Sequence, residues 1–133
     1  MEYTFGFIGV GSMGGALARA ACRWKPDRVV ITNRTLERAA ALAEELDCGL
    51  AMSNEAVAEN ARYVFLGVKP HQMAGLLRRL APVLEKRIEP VVLVSMAAGI
   101  STEDIVHMLG FELPVIRIMP NTPVAVGQGL IPY

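Results

Sequence analysis

Gly9, Gly11 and Gly14 form a Gly-x-Gly-x-x-Gly spacing directly after the apolar run Phe5-Gly-Phe-Ile8 and directly before a helical stretch. That context is the one in which the spacing holds a dinucleotide. The first glycine permits a tight turn, the second lets backbone approach a pyrophosphate, and the third lets helix pack close on strand. The helix start behind them offers unpaired N–H groups and the positive end of its dipole to the same anion. The next strand ends at Asn33-Arg34-Thr35. Sites for NAD place an acidic residue here, about 20 residues on, to hold the ribose 2′-hydroxyl. A carboxylate repels a 2′-phosphate, whereas a guanidinium and a hydroxyl bind it. Arg34 and Thr35 therefore predict NADP(H) as the cofactor.

Three later segments hold polar or small residues where strands are expected to end: Gly67-Val68-Lys69-Pro70-His71, Ser95-Met96-Ala97-Ala98-Gly99 and Arg117-Ile118-Met119-Pro120-Asn121-Thr122-Pro123. Lys69 suits a phosphate or ribose oxygen, and equally a solvated position ahead of a helix-starting proline. His71 reads first as an exposed or capping residue, and His107 as part of an amphipathic surface. The small residues of the second segment, Ser95, Ala97, Ala98 and Gly99, let a flat ring lie against backbone. The prolines stiffen the last segment around Asn121 and Thr122. No residue is a convincing general acid, so no catalytic residue is assigned. Cys22 and Cys48 lack metal-ligand spacing and read as two reduced thiols of a cytoplasmic protein.

The elements that must position these residues alternate strand and helix throughout. Strands are expected at Tyr3–Gly9, Arg28–Thr32, Gly49–Met52, Tyr63–Val68, Val91–Ser95 and Val115–Met119. Between them, Ser12–Trp24 is expected to pack through Ala16, Leu17, Ala20, Ala21 and Trp24. Thr35 can cap a helix whose apolar face is Leu36, Ala39, Ala40, Ala43 and Leu46. A short helix is expected at Asn54–Asn60. Met73, Leu76, Leu77, Leu80 and Leu84 follow helical spacing behind Pro70, and Ser101 with Asp104 resembles a capping box. Alternation of this kind implies an α/β fold, a Rossmann-like doubly wound, mostly parallel sheet with helices on both faces. In such sheets ligands lie at the carboxyl ends of the strands.

Composition agrees. The chain has 133 residues, one domain by length, and its 53% hydrophobic and 20% charged content argues against disorder. The 13 basic and 13 acidic residues balance and form no basic tract, so nothing points to nucleic acid. Glu2 and the early glycines break up any signal peptide. No apolar run reaches the ~20 residues of a membrane span.

Four segments together resemble the pyrroline-5-carboxylate reductase family: Gly6–Gly14, Val64–His71, Val94–Gly99 and Val115–Pro123. The first is shared by many dinucleotide enzymes; the Val-Lys-Pro and Met-Pro-Asn-Thr-Pro pieces are far more specific. The resemblance implies that Ile8, Gly9, Val10, Gly11, Ser12 and Met13 wrap the pyrophosphate. Arg34, between Asn33 and Thr35, would hold the 2′-phosphate, and Asn54 would touch the adenosine. Gly67, Val68, Lys69 and Pro70 would line the nicotinamide ribose. Met96, Ala97 and Ala98 would lie along the ring, with Met119, Asn121 and Thr122 on the substrate side. The reaction implied is NADPH-dependent reduction of the C=N bond of a cyclic imine acid to L-proline. Residues 1–133 would be the NADP(H)-binding domain. The family's helical second half, which builds a homo-oligomer and much of the imine-acid pocket, is not in this sequence, which reads as a fragment.

Two other readings share part of the pattern. The β-hydroxyacid dehydrogenases have a similar glycine segment and often Asn-Arg-Thr, but lack the Met-Pro-Asn-Thr-Pro piece. A non-catalytic NADP(H)-binding module fits the length, but has less use for the ring-facing segments. A methyltransferase is disfavoured by the absence of an acidic ribose ligand after the second strand.

Overall fold

The computed structural model describes residues 2–118. Met119, Asn121 and Thr122, the expected substrate-side residues, lie outside the described residues. The elements alternate as β1 (Tyr3–Ile8), α1 (Ser12–Trp24), β2 (Val29–Thr32), α2 (Leu36–Leu46), β3 (Gly49–Leu50) and α3 (Asn54–Asn60). They continue as β4 (Ala61–Leu66), α4 (Pro70–Glu85), β5 (Val92–Ser95), α5 (Thr102–Leu109) and β6 (Val115–Arg117). All pairings are parallel, in the order β3-β2-β1-β4-β5-β6. The order reverses between β1 and β4, which opens the crevice where such folds take ligands.

Period-two alternation along each strand divides the core. Phe7, Val29 and Ile31 face α1 and α2, where they meet Ala18, Cys22, Ala39, Leu42 and Ala43. Ile8, Val30, Val64, Leu66 and Leu93 face the other way, onto α3, α4 and α5. The stripe Met73, Leu76, Leu77, Leu80 and Leu84 of α4 is wholly buried, as its spacing predicts. Ser101 caps α5 as expected: its hydroxyl accepts from the Asp104 N–H at 3.0 Å, and the Asp104 carboxylate accepts from the Ser101 N–H at 3.2 Å. Cys22 and Cys48 are free thiols, and burial pushes both above the ordinary thiol value. Among the described residues no helix is long and apolar enough to cross a membrane.

Helix α1 departs from its expected face. Gly14, Gly15, Ala18 and Cys22 are buried, whereas Ala16, Ala20 and Trp24 are exposed. The helix lies too close to the glycine loop for large side chains: a Cβ on Gly14 would sit 2.2 Å from the Gly9 carbonyl oxygen. The smallest residues therefore form the closest contact, while Leu17 and Ala21 of the expected face pack at its edge. Strand ends also shift. Gly9 has a φ of +94°, which ends β1 at Ile8. A 3-10 turn over Pro26–Arg28 delays β2 to Val29.

Candidate functional site

The crevice floor is made of backbone. Gly9 and Gly67 cross so closely that a Cβ on Gly9 would sit 2.3 Å from the Gly67 carbonyl oxygen. The Gly67 N–H donates to the Ile8 carbonyl at 2.7 Å, and the Gly9 N–H to the Thr32 carbonyl at 2.9 Å. Gly14 closes the loop from below through its contact with Gly9. Gly11 differs from both. It is exposed, its φ is −68°, and a Cβ on it would meet nothing within 4 Å. Neither strain nor packing asks for glycine there; apart from its modest preference as the N-cap of α1, what the glycine leaves is open space in front of the loop.

Asn33 fixes the loop to the end of β2. Its Oδ1 accepts from the Val10 N–H at 3.0 Å, and its Nδ2 donates to the Thr35 carbonyl at 3.2 Å. The side chain thus ties the glycine loop to the segment carrying Arg34. Thr35 stands at the N-cap of α2 without a side-chain cap bond. Arg34 is exposed and has no hydrogen-bond or ion-pair partner among the described residues.

A cleft of about 820 Å³ runs from this crevice toward β3. Ile8, Gly9, Asn33, Arg34, Asn54, Gly67 and Val68 line it, so these sequence-predicted residues are brought together. Val10, Gly11 and Ser12 line a neighbouring groove of about 490 Å³ between α1 and α2, bridged by the Arg19–Glu45 ion pair. Ser53 opens α3 at the cleft rim, its hydroxyl accepting from the Ala56 N–H at 3.1 Å. That bond positions Asn54 in the first turn.

The remaining predicted residues line neither space. Lys69 and Pro70 are exposed at the start of α4, where the Gln72 side chain accepts from the Lys69 N–H at 3.1 Å. At the end of β5 the Ser95 hydroxyl accepts from the Ala97 N–H at 3.3 Å, and the Met96 methyl packs beside Gly67. Ala97 is buried and Ala98 exposed. These residues stand at the carboxyl ends of β4 and β5, across the switch point from Arg34.

Sequence reasoning missed one wall of the cleft. Gln72, Gly75, Leu76, Arg78 and Arg79 of α4 line it, as do Met52 and Glu55 beside Asn54. The signal was present in α4: positions 72, 75, 76 and 79 share one helix face. Three guanidiniums face one carboxylate in this lining, although the chain as a whole is neutral. This excess of positive charge in the lining favours an anionic ligand.

Residues 4–99 match the family model described as NADP oxidoreductase, coenzyme F420-dependent. The chain belongs to this family. It is similar to the pyrroline-5-carboxylate reductase of Corynebacterium melassecola, with 36% identity over 129 residues, covering 96% of this chain and 48% of that protein. Among solved structures it resembles a pyrroline-5-carboxylate reductase from Coxiella burnetii, with a TM-score of 0.83, 30% identity, and coverage of 95% and 47% of the two chains. It also resembles the Plasmodium falciparum pyrroline carboxylate reductase solved with NADP bound, with a TM-score of 0.73, 27% identity, and coverage of 96% and 46%. The chain spans about half the length of the curated relatives it matches.

Proposed function

We propose that this chain is the NADP(H)-binding domain of a pyrroline-5-carboxylate reductase. The observation that carries the reading is Arg34, without a partner among the described residues at the end of β2 and lining the same cleft as the glycine loop's Gly9. The residues fit the cofactor. Gly11 leaves open the space that a Cβ would fill, and the first turn of α1 presents N–H groups beside it. Arg34 supplies a planar fork of donors suited to a 2′-phosphate. Asn33 holds the two segments in register. Asn54 takes the adenosine side. Gly67, Val68, Lys69 and Pro70 take the nicotinamide ribose, and Met96, Ala97 and Ala98 the ring.

When bound, the reduced nicotinamide supplies the hydride for the C=N carbon of a cyclic imine acid. The protein's part is orientation and electrostatics. Gly67 brings backbone to the floor beside the ring position, and the Ser95 hydroxyl holds the turn that carries Ala97. Met119, Asn121 and Thr122 belong to the substrate side. The helical second half of the family would complete the imine-acid pocket and a homo-oligomer. The matched relatives and the ring-facing segments at 67–70 and 96–98 support an enzyme of proline synthesis over a binding-only module, and the two free thiols suit a cytoplasmic one.

The test is titration calorimetry with NADPH and NADH on the parent and on Arg34→Ala. A charge-assisted contact is worth about 1.5–3 kcal/mol, so NADPH should weaken roughly 10- to 100-fold while NADH changes little. Equal losses for both cofactors refute the 2′-phosphate role.

A further inference from the structure

We propose that Arg78 and Arg79, on the α4 wall of the cleft, complete the 2′-phosphate site from the side opposite the β2 loop. The proposal rests on the NADP(H) reading above and adds to it the residues that make the cofactor choice two-sided.

The first observation is placement. Arg78 and Arg79 line the same cleft as Arg34 but come from a different element, behind β4 rather than β2. All three are exposed, and none has a hydrogen-bond or ion-pair partner among the described residues. Glu55, the one carboxylate of the lining, pairs with none of them. Elsewhere Arg19 pairs with Glu45, Arg28 donates to the Thr4 hydroxyl, Arg62 lies over the Tyr63 ring and Arg87 donates to the Ala58 and Pro90 carbonyls, whereas Arg23, Arg38 and Arg117 stand singly at the surface without a partner among the described residues. Like charges gathered on one concave surface repel unless an anion sits among them.

The second observation is Gly75. It lies inside α4, one turn before Arg78 and Arg79, and faces the cleft. Glycine in a helix interior is destabilising relative to alanine. Nothing in the fold asks for it, since a Cβ there would meet nothing within 4 Å. What it leaves is a bare strip of helix backbone along the cleft, against which a ligand can lie. A ligand at that depth comes within reach of side chains one turn on.

The third step is charge. A phosphate monoester at neutral pH carries about −1.5 to −2. One guanidinium leaves part of that charge uncompensated. A guanidinium from each wall neutralises it and fixes the phosphate between two rigid elements, β2 and α4. NADH has no such group, so the α4 arginines add to discrimination without adding to binding of the rest of the dinucleotide.

The experiment compares NADPH and NADH binding by calorimetry for the parent, Arg34→Gln, and the double variant Arg78→Gln/Arg79→Gln, with thermal melts to confirm that each is folded. The double variant should lose about 10-fold or more in NADPH affinity, the scale of a charge-assisted phosphate contact, and change NADH less than about 2-fold. Lysine at both positions should recover part of the loss. Equal losses on NADPH and NADH overturn the inference, because the arginines would then serve the pyrophosphate or the adenine. Unchanged NADPH affinity in the double variant, with a large loss in Arg34→Gln, overturns it while leaving the proposed function intact. A parent that does not prefer NADPH overturns the cofactor reading and this inference together.

Discussion

Gly11 separates a structural glycine from a functional one. Gly9 needs its glycine for a φ of +94°, and Gly14 for its contact with the Gly9 carbonyl. Gly11 needs neither, since its backbone is extended and its surroundings are empty. Gly11→Val should therefore fold, at the small cost of a poorer N-cap for α1. It should lose NADPH binding, because branched carbons would occupy the space in front of the loop. A folded variant with parent-like NADPH affinity, measured by calorimetry beside a circular-dichroism spectrum, would show that the loop cradles no phosphate. The spacing 9, 11, 14 was legible in the sequence because each position is glycine and the three span the junction from strand into helix. The role of Asn33 was legible only as a position. That its Oδ1 would be taken up by the Val10 N–H depends on how close two loops 23 residues apart come.

At the scale of elements, two glycines on the same sort of helix behave in opposite ways. A Cβ on Gly14 of α1 meets backbone at 2.2 Å, and backbone cannot rotate aside. One on Gly75 of α4 meets nothing. Gly14→Ala should cost about 1–3 kcal/mol by forcing α1 away from the loop. Gly75→Ala should stabilise by about 0.4–1 kcal/mol through loss of unfolded-chain freedom. Urea unfolding of both variants checks the pair; a neutral Gly14→Ala would mean that α1 does not rest on Gly9. The same contrast explains what pattern reading saw and missed. The stripe of α4 was read correctly because its buried residues are large and its spacing is regular. The face of α1 was read only in part: Leu17 and Ala21 pack against the core as expected, but close approach selects for small size at the centre of the contact, where Gly14, Gly15 and Ala18 lie, and leaves Ala16, Ala20 and Trp24 exposed. Its Trp24 is 56% exposed and meets the Phe5 ring edge-on, with the ring centroids 5.7 Å apart. The α4 wall of the cleft was missed for a related reason: Gly75, Arg78 and Arg79 look like helix surface until the fold turns that surface toward Arg34.

For the molecule as a whole, the carboxyl edge of the sheet is unequal on the two sides of the switch point. The side beyond β2 is concave and rich in guanidiniums, with Arg34, Arg78 and Arg79 in its lining. The side beyond β4, β5 and β6 has, among the described residues, Lys69 and Arg117 as its cations, and both are exposed. A small imine acid bound there would need its carboxylate held firmly and its C=N carbon kept about 3–3.5 Å from the reacting ring carbon. Exposed single cations on a solvated surface hold a carboxylate weakly, because attraction between charges in water is of order 1 kcal/mol at contact. Water would also reach the reacting groups, so the advantage of a desolvated site is lost. The 133-residue chain should therefore bind NADPH well and prefer it to NADH, yet turn over pyrroline-5-carboxylate far more slowly than an ordinary enzyme. The measurement is NADPH oxidation, followed at saturating cofactor with pyrroline-5-carboxylate added to the purified chain. Loss of binding would contradict the cofactor site itself. Turnover at or above about 1 s⁻¹, the lower end of the usual enzyme range, would show that this chain already holds the imine acid in reacting position. The residues responsible would then be sought around Lys69, Ser95 and Arg117, where the described strands end.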